Sequence, residues 1–465
     1  MRGLHHHRVA RLAIVAGLLV GGIAGTTGVV VGASAIAESA PATPRAVIEA
    51  THLPPLLTLP GEPVALSFDV HCAPAGVEDP EQACQTVGSV FAREGNRGAF
   101  RELPLEEHRA NGLRQLWTPV PESLAASADG FEYYAVIEPA DAASRVVVPA
   151  AGHAAPYRVR QLVGPVDVDL GTHEFGDPHP RSARVASAHW GNGPLDVGLE
   201  QARNEGAIGA TAFDVDASGT VLLLDEAHRR LLRWVKNDVS PASVPLSSDG
   251  RLADLTIADD GSVYVLESIA APGRAAPLVR RFDENGRELD HVETAERTPS
   301  QIRIGPRGPV VLESPSHQWM PVAIDGAPVG TALQRGNARS GRPLRGGGEV
   351  VVLRRGNGIL VALVDARGVR RSWHITSRTS LAEVQLAEPL GRRFLLVARV
   401  YSESRDEFVV LILDRSGLVE RFSVDPAEWA EAAPLGRFRL VGGALYRLGS
   451  SSTGAFVDRF DLEVH

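Results

Sequence analysis

The sequence predicts an all-β protein: a small β-sandwich followed by a six-bladed β-propeller. Three observations predict it. After residue 210 one phrase recurs: an apolar strand, a tight Gly turn, and a second apolar strand ending on a polar residue. Its clearest copies are AFDVDASGTVLLLDEAHRRLLRW (Ala212 to Trp234) and DLTIADDGSVYVLESIAAPGRAAPLVRRF (Asp254 to Phe282). QIRIGPRGPVVLESPSHQWMPV (Gln301 to Val322) keeps the turn Gly308 but not the acidic turn residues. Alternating apolar residues around D-x-x-G or P-x-G specify an antiparallel hairpin. Units beginning at Ala212, Asp254, Gln301, Leu344, Glu383 and Phe438 recur about every 40 to 50 residues. A unit of this size cannot bury its own apolar face, so the units must pack radially. Second, the last unit has room for three strands, while a lone strand (Ala183 to Ala188) precedes the first. Such a shortage and surplus fit a ring that completes one blade from both ends. Third, the segment before the repeats reads as short strands separated by turns, at sandwich spacing.

Taken in order, the chain opens on an export signal. Arg2, Arg8 and Arg11, with His5 to His7, precede an uncharged apolar run from Leu12 to Ala37. The run ends in Ala33-Ser34-Ala35 and Ala35-Ile36-Ala37, both of the small-x-small form that signal peptidase accepts. It is also long enough to span a bilayer, so residues 1–37 are a cleaved signal peptide or a retained signal-anchor. Cleavage after Ala35 removes three Arg and no acid, making a chain of net charge −9 more negative still. The expected location is extracytoplasmic, with the membrane reached only through this segment.

Residues 38–60, rich in Pro and Ala, read as a flexible lead-in. Residues 61–162 form the sandwich, with strands at Pro63 to His71, Thr86 to Ala92, Leu113 to Pro119, Phe131 to Ile137, Ser144 to Val148 and Tyr157 to Leu162. The only two cysteines, Cys72 and Cys84, lie here. In an exported chain a close pair is expected to form a disulfide, the alternative being two buried thiols. Adjacent Tyr133 and Tyr134 point to opposite faces of one strand, so one should enter the core. Residues 164–465 hold the propeller.

A single Lys (Lys236) among 47 basic residues is the codon habit of a GC-rich bacterial genome. The Arg-rich stretches therefore carry little weight as nucleic-acid sites, and the net charge argues the same way. The expected partners are a protein, peptide or glycan, with no nucleic acid.

Two stretches resemble known families. Trp190 to Trp234, with its G-x-G loop, D-x-x-G turn and closing R-L-L-R-W strand, resembles the NHL repeat, as does Asp254 to Phe282. The segment around Gly130-Phe131-Glu132-Tyr133-Tyr134 resembles bacterial immunoglobulin-like or fibronectin-type-III-like modules. The NHL resemblance implies an interaction scaffold in most members. It also includes propeller enzymes, lyases and lactonases with a metal in the central funnel, and that is the alternative.

There is no G-x-S-x-G elbow, P-loop, H-E-x-x-H or dinucleotide fingerprint. No cofactor is called for. A divalent metal has one candidate place, His173, Asp177 and His179 in the connector, although Gly176 and Pro178 favour a solvated interdomain loop. The second strands of the first units end VLLLD, VYVLE and PVVLE, which aligns Asp225, Glu267 and Glu313 on one rim with Arg354 beyond them. That rim is the candidate binding face for a cation, amine or basic peptide. The alternative is that these residues cap turns by accepting backbone N–H groups. The inner strands FDVD, LTIA, IRIG and VQLA offer Asp214 and Asp216 as acids and no His, which weighs against catalysis.

Overall fold

The computed structural model describes residues 47–462 except 74–83, 111–112, 140–143, 201–205, 295–297, 315–316, 325–326, 329–338 and 431–435. The expected export segment lies outside the described residues. Nearly every described element is a strand; the helical pieces are Glu122–Ala125 and the turn Gly152–Ala154.

The N-terminal part contains two sheets. One orders Val47–Thr51, Ala65–Ala73, Leu113–Pro119 and Glu106–Ala110. The other orders Leu57–Thr58, Tyr157–Gln161, Phe131–Pro139, Thr86–Glu94 and Arg101–Pro104, with Val146–Val148 beside Phe131–Pro139. Strand alternation decides the core: in Ala65–Ala73, Leu66 and Phe68 point inward while Ser67 and Asp69 face solvent. They meet Val90, Phe131, Tyr133, Ile137, Tyr157 and Val159 from the second sheet. Tyr133 is fully buried, and Tyr134, on the other face, packs on Phe91. Cys72 and Cys84 are joined by a disulfide.

The lead-in expected at residues 38–60 needs correction. Val47–Thr51 is a strand, antiparallel to Ala65–Ala73 with Ile48 opposite Cys72. Leu57–Thr58 runs parallel to Tyr157–Gln161. Leu56, Leu57 and Leu162 then pack on Val351, Leu360 and Ala362 of the propeller, tying the two parts together. Neighbouring Pro and Ala hide these short strands in a composition reading, but burial of the leucines holds them.

Among the described residues six sheets of three or more strands follow, with a two-stranded pair, Ala323–Ile324 and Ala327–Pro328, after the third. Sheet 1 holds Ala212–Val215, Val221–Asp225, Arg230–Trp234 and Ala242–Pro245, and sheet 2 holds Arg251–Ile257, Val263–Ile269, Leu278–Phe282 and Glu288–Glu293. Sheet 3 has three strands, Thr298–Gly305, Gly308–Ser314 and Gln318–Pro321. Sheet 4 runs from Arg342–Pro343 through Glu349–Arg355 and Gly358–Asp365 to Gly368–Thr376. Sheet 5 spans Ser380–Leu390 to Leu418–Val424; sheet 6 holds Phe438–Val441, Ala444–Ser451 and Gly454–Asp461. The innermost strands of successive sheets touch, and those of sheets 6 and 1 touch as well, so the ring closes.

Ala183–His189 is the outermost strand of sheet 6, antiparallel to Gly454–Asp461 with Ser187 opposite Phe456. The surplus strand before the repeats thus covers the edge the last unit would otherwise expose. A second connector strand was not expected: Val166–Asp169 adds to sheet 4 in parallel with Gly368–Thr376. The fourth unit also begins earlier than Leu344, at Arg342–Pro343.

The apolar core lies between sheets rather than inside any one. Phe213 and Leu223 of sheet 1 pack against Leu448 and Val457 of sheet 6. Ala212 and Leu224 pack against Leu255 and Val265 of sheet 2. Comparable clusters join sheets 2 and 3, 4 and 5, and 5 and 6. A fully buried Leu or Phe contributes roughly 1.5–3 kcal/mol, and here most of that gain exists only when the neighbouring sheet is in place. Sheets 3 and 4 meet differently, around a cleft of about 400 Å³ lined by Val310, Trp319, Pro343 and Val364.

Candidate functional site

At the ring's centre the first turns of the sheets surround a cavity of about 840 Å³. Each turn needs a residue at positive φ, supplied in sheets 1 to 4 by Gly219, Gly261, Gly308 and Gly347. Five residues before each of these stand Asp214, Thr256, Arg303 and Arg342, all lining the cavity. Sheets 5 and 6 contribute Glu388 and Arg439.

The floor is a buried ionic network. One Asp214 oxygen accepts from the backbone N–H of Val215 and the other from Ile257 (both 2.9 Å), the second joining sheet 1 to sheet 2. Thr256 donates to the same carboxylate at 3.2 Å. Asp254, 1% exposed, accepts from Ile302 N–H (3.0 Å), from Arg303 Nη1 (2.5 Å) and from Arg439 Nη2 (3.0 Å). Two guanidiniums and two carboxylates from sheets 1, 2, 3 and 6 thereby staple the ring across its axis. Burial pulls the Arg439 pKa down, and nearby Arg303 adds to that, while Asp254 and Asp214 oppose it.

Higher in the cavity the charges are sorted by sheet. Sheets 1 and 2 present Asp214, Asp216 and Asp259; sheets 3 and 4 present Arg303, Arg342 and Arg345. Arg342 bonds Glu388 (2.8 Å) and the Ala387 carbonyl (2.7 Å), and Arg345 pairs with Asp259 at the mouth. Burial works to raise the Asp216 pKa, but hydrogen bonds from Ser218 and Thr220 outweigh it and hold the carboxyl below the usual range.

The candidate rim occupies the other end of the strands. Asp225, Glu267 and Glu313 do sit at equivalent ends of second strands, yet they are 1%, 0% and 0% exposed. An open acidic face is therefore not formed. Asp225 accepts from Gly198 N–H (3.1 Å) and Arg230 Nε (2.9 Å) and contacts His228 Nδ1 (2.7 Å). Glu267 accepts from Leu278 N–H (3.1 Å), Arg274 Nη2 (2.6 Å) and Arg280 Nε (3.0 Å). Both accept backbone N–H groups, as capping residues do, and both pair with buried or half-buried arginines besides. Glu313 stands opposite Gln318 in the ladder. Arg354 is exposed and donates to the carbonyls of Leu381 (2.8 Å) and Gly356 (3.2 Å).

The connector cluster does not converge either. His173 is buried: Nε2 faces Glu407 at 2.9 Å, and Nδ1 accepts from Arg421 at 2.8 Å. Both ring nitrogens are thus engaged in fixing the connector to sheet 5. Asp177 and His179 are exposed on the loop, the His179 ring resting on Phe422. Among the described residues no group of three or more His, Cys, Asp or Glu is placed to hold a metal ion.

The cavity arginines escaped the sequence reading, although a signal existed. Aligning the turn glycines places Arg303 and Arg342 at the position of Asp214, and the charge reversal from sheet to sheet is visible in that register.

The chain matches no protein-family model and no curated protein sequence. Similar solved structures include virginiamycin B lyase from Staphylococcus aureus, at 12% identity and TM-score 0.33, covering 57% of this chain and 98% of that one. A streptogramin B lyase is similar at 10% identity and TM-score 0.32, covering 54% and 93%. A putative gluconolactonase gives 12% and 0.25, covering 63% and 96%.

Proposed function

We propose that this chain is an exported cell-envelope binding protein, with a six-bladed NHL-like propeller behind an immunoglobulin-like module. Its ligand is a peptide carrying both an acidic and a basic group, held in the central cavity. The observation that carries this reading is the sorting of charge around that cavity, acids from sheets 1 and 2 against arginines from sheets 3 and 4. A volume of about 840 Å³ suits a short peptide. Charged walls of opposite sign favour and orient a ligand with matching ends, and they reject one of single sign.

The alternative is a metal-dependent lyase or lactonase using the same cavity. Such chemistry needs several uncommitted His or carboxylate donors converging on one point. The donor set does not fit. No His is among the lining residues, Asp214 is saturated by backbone N–H groups, and Glu388 and Asp259 are paired to arginines.

The test is calorimetric titration with trialanine, which carries one ammonium and one carboxylate, and with its N-acetylated, C-amidated counterpart, which carries neither. The free peptide is expected to bind more tightly, and Arg342→Gln to weaken it about tenfold, which is about 1.4 kcal/mol. Equal binding of free and blocked peptides, or no effect of Arg342→Gln, removes the reading.

A further inference from the structure

The far end of the strands carries a pair of indoles that the cavity does not use; one of them, Trp190, is half-buried against the core between sheets 1 and 6. Of six Trp in the chain, Trp234, Trp319 and Trp373 are buried, whereas Trp429 is 47% exposed. Its ring lies beside that of Trp190, with centroids 5.9 Å apart and planes tilted by 31°. Trp190 follows the outermost strand of sheet 6, where His189 pairs with Gly454, at the end of that sheet away from the cavity.

Both indoles are fixed in place. Trp190 Nε1 donates to the Ser451 carbonyl at 2.8 Å. Its ring lies so close over Gly209 that a Cβ there would sit 2.6 Å from it, so only glycine admits this orientation. The segment bearing Trp429 is held at both ends. Ser450 N–H donates to the Ala427 carbonyl (2.7 Å), and Ala430 N–H to Ser450 Oγ (2.8 Å). Ala427 adopts φ 46, a left-handed conformation costly for any residue with a Cβ. A strained, multiply bonded segment thus holds a large aromatic ring about half in water, where it covers less apolar surface than an inward ring would. Pre-organised aromatic surface of this kind is what a binding site requires.

We propose that Trp190 and Trp429 form a stacking platform for a glycan chain. Two adjacent indoles offer extended apolar surface with polar N–H edges, and the apolar C–H face of a pyranose covers an indole without desolvating charge. Charge around the platform is balanced: Glu428 is paired with both Arg399 (3.0 Å) and Arg437 (3.1 Å). A site for an organic cation would leave its acids unpaired, and a site for stacked nucleobases would be basic. The loop after Trp190 adds exposed Asn192, whose Oδ1 is 3.3 Å from His228 Nε2, as polar groups suited to sugar hydroxyls.

The experiment titrates the full chain with hexasaccharides of β-1,4-linked N-acetylglucosamine, β-1,4-linked glucose and α-1,4-linked glucose at millimolar concentrations. Binding is read by calorimetry and by tryptophan fluorescence. At least one hexasaccharide is expected to bind, with a change in fluorescence. Trp429→Ala should weaken it at least tenfold while leaving the melting temperature unchanged, because the side chain is half in solvent. Trp190→Phe, which keeps a ring over Gly209, should weaken it less. Failure of all three sugars to bind overturns the proposal, as does wild-type affinity in Trp429→Ala. Trp429-dependent binding to anionic phospholipid vesicles in place of sugar also overturns it, in favour of a membrane surface.

Discussion

Between their packed sheets the sandwich and the propeller hold polar groups in different ways, although on the sandwich's outer face buried Glu132 is clamped by Arg93. In the propeller, buried carboxylates are clamped by arginines: Glu267 by Arg274 and Arg280, Asp254 by Arg303 and Arg439. In the sandwich the central polar pair is neutral. His52 Nδ1 lies 2.6 Å from the Ser67 carbonyl and must donate to it, so Nε2 accepts from the Tyr133 hydroxyl at 2.5 Å. The ring also stacks on Phe68 with centroids 4.3 Å apart. A closed sandwich core has nowhere to put a counter-ion, so it keeps the imidazole uncharged. A ring of sheets has seams, and ion pairs from adjacent strands fill them.

Removing one partner from the propeller clamp should have the largest effect. Glu267→Ala leaves two guanidiniums without their carboxylate and is expected to cost about 3–5 kcal/mol. Urea denaturation measures it, and a loss under about 1 kcal/mol would place these pairs with surface ion pairs and erase the contrast. Next comes the disulfide. Replacing Cys72 and Cys84 by Ser should cost the sandwich about 3 kcal/mol in the chain-entropy view. Two thiols titrating in denatured, unreduced wild-type protein would contradict the bond itself.

Acid should then separate the two regions. Burial lowers the His52 pKa from 6.5 to about 4. Between those values the unfolded chain binds the extra proton, so stability is fully present above pH 6.5 and falls as pH drops to about 4. The full loss is about 3 kcal/mol. His52→Gln should abolish that part of the slope; an unchanged pH profile would mean the imidazole is not held neutral. The smallest effect is that of Tyr133→Phe, which deletes one hydrogen bond to His52 and should cost about 1–2 kcal/mol. Thermal melts of the two proteins at pH 7 would measure it.

The difference between the regions also governs what was legible beforehand. Six of the ten strands described in the sandwich were placed from alternation and turns, while Val47–Thr51, Leu57–Thr58, Arg101–Pro104 and Glu106–Ala110 were missed; Tyr133 and Tyr134 were put on opposite faces by period alone. The edge-completing role of Ala183–His189 followed from counting strands. By contrast, Asp225, Glu267 and Glu313 were correctly aligned along the chain but given the wrong environment. Strand-end position says which residues share a level of the ring; it does not say whether a neighbouring arginine has closed over them. His173 failed likewise: its partners Glu407 and Arg421 lie more than two hundred residues away.

By itself the sequence determined the all-β class and the recurring hairpin unit, because periodicity and turn chemistry are local and survive in any context. It also fixed the glycine turns that ring the cavity. Only the tertiary structure decided which charges meet. Asp254 from sheet 2 is neutralised by Arg439 from sheet 6, a pairing across 185 residues that no local pattern encodes. Bringing those residues within hydrogen-bond reach is a property of ring closure, and ring closure depends on apolar contacts between sheets. The same closure sorts the acids from the arginines around the cavity and sets Trp190 beside Trp429.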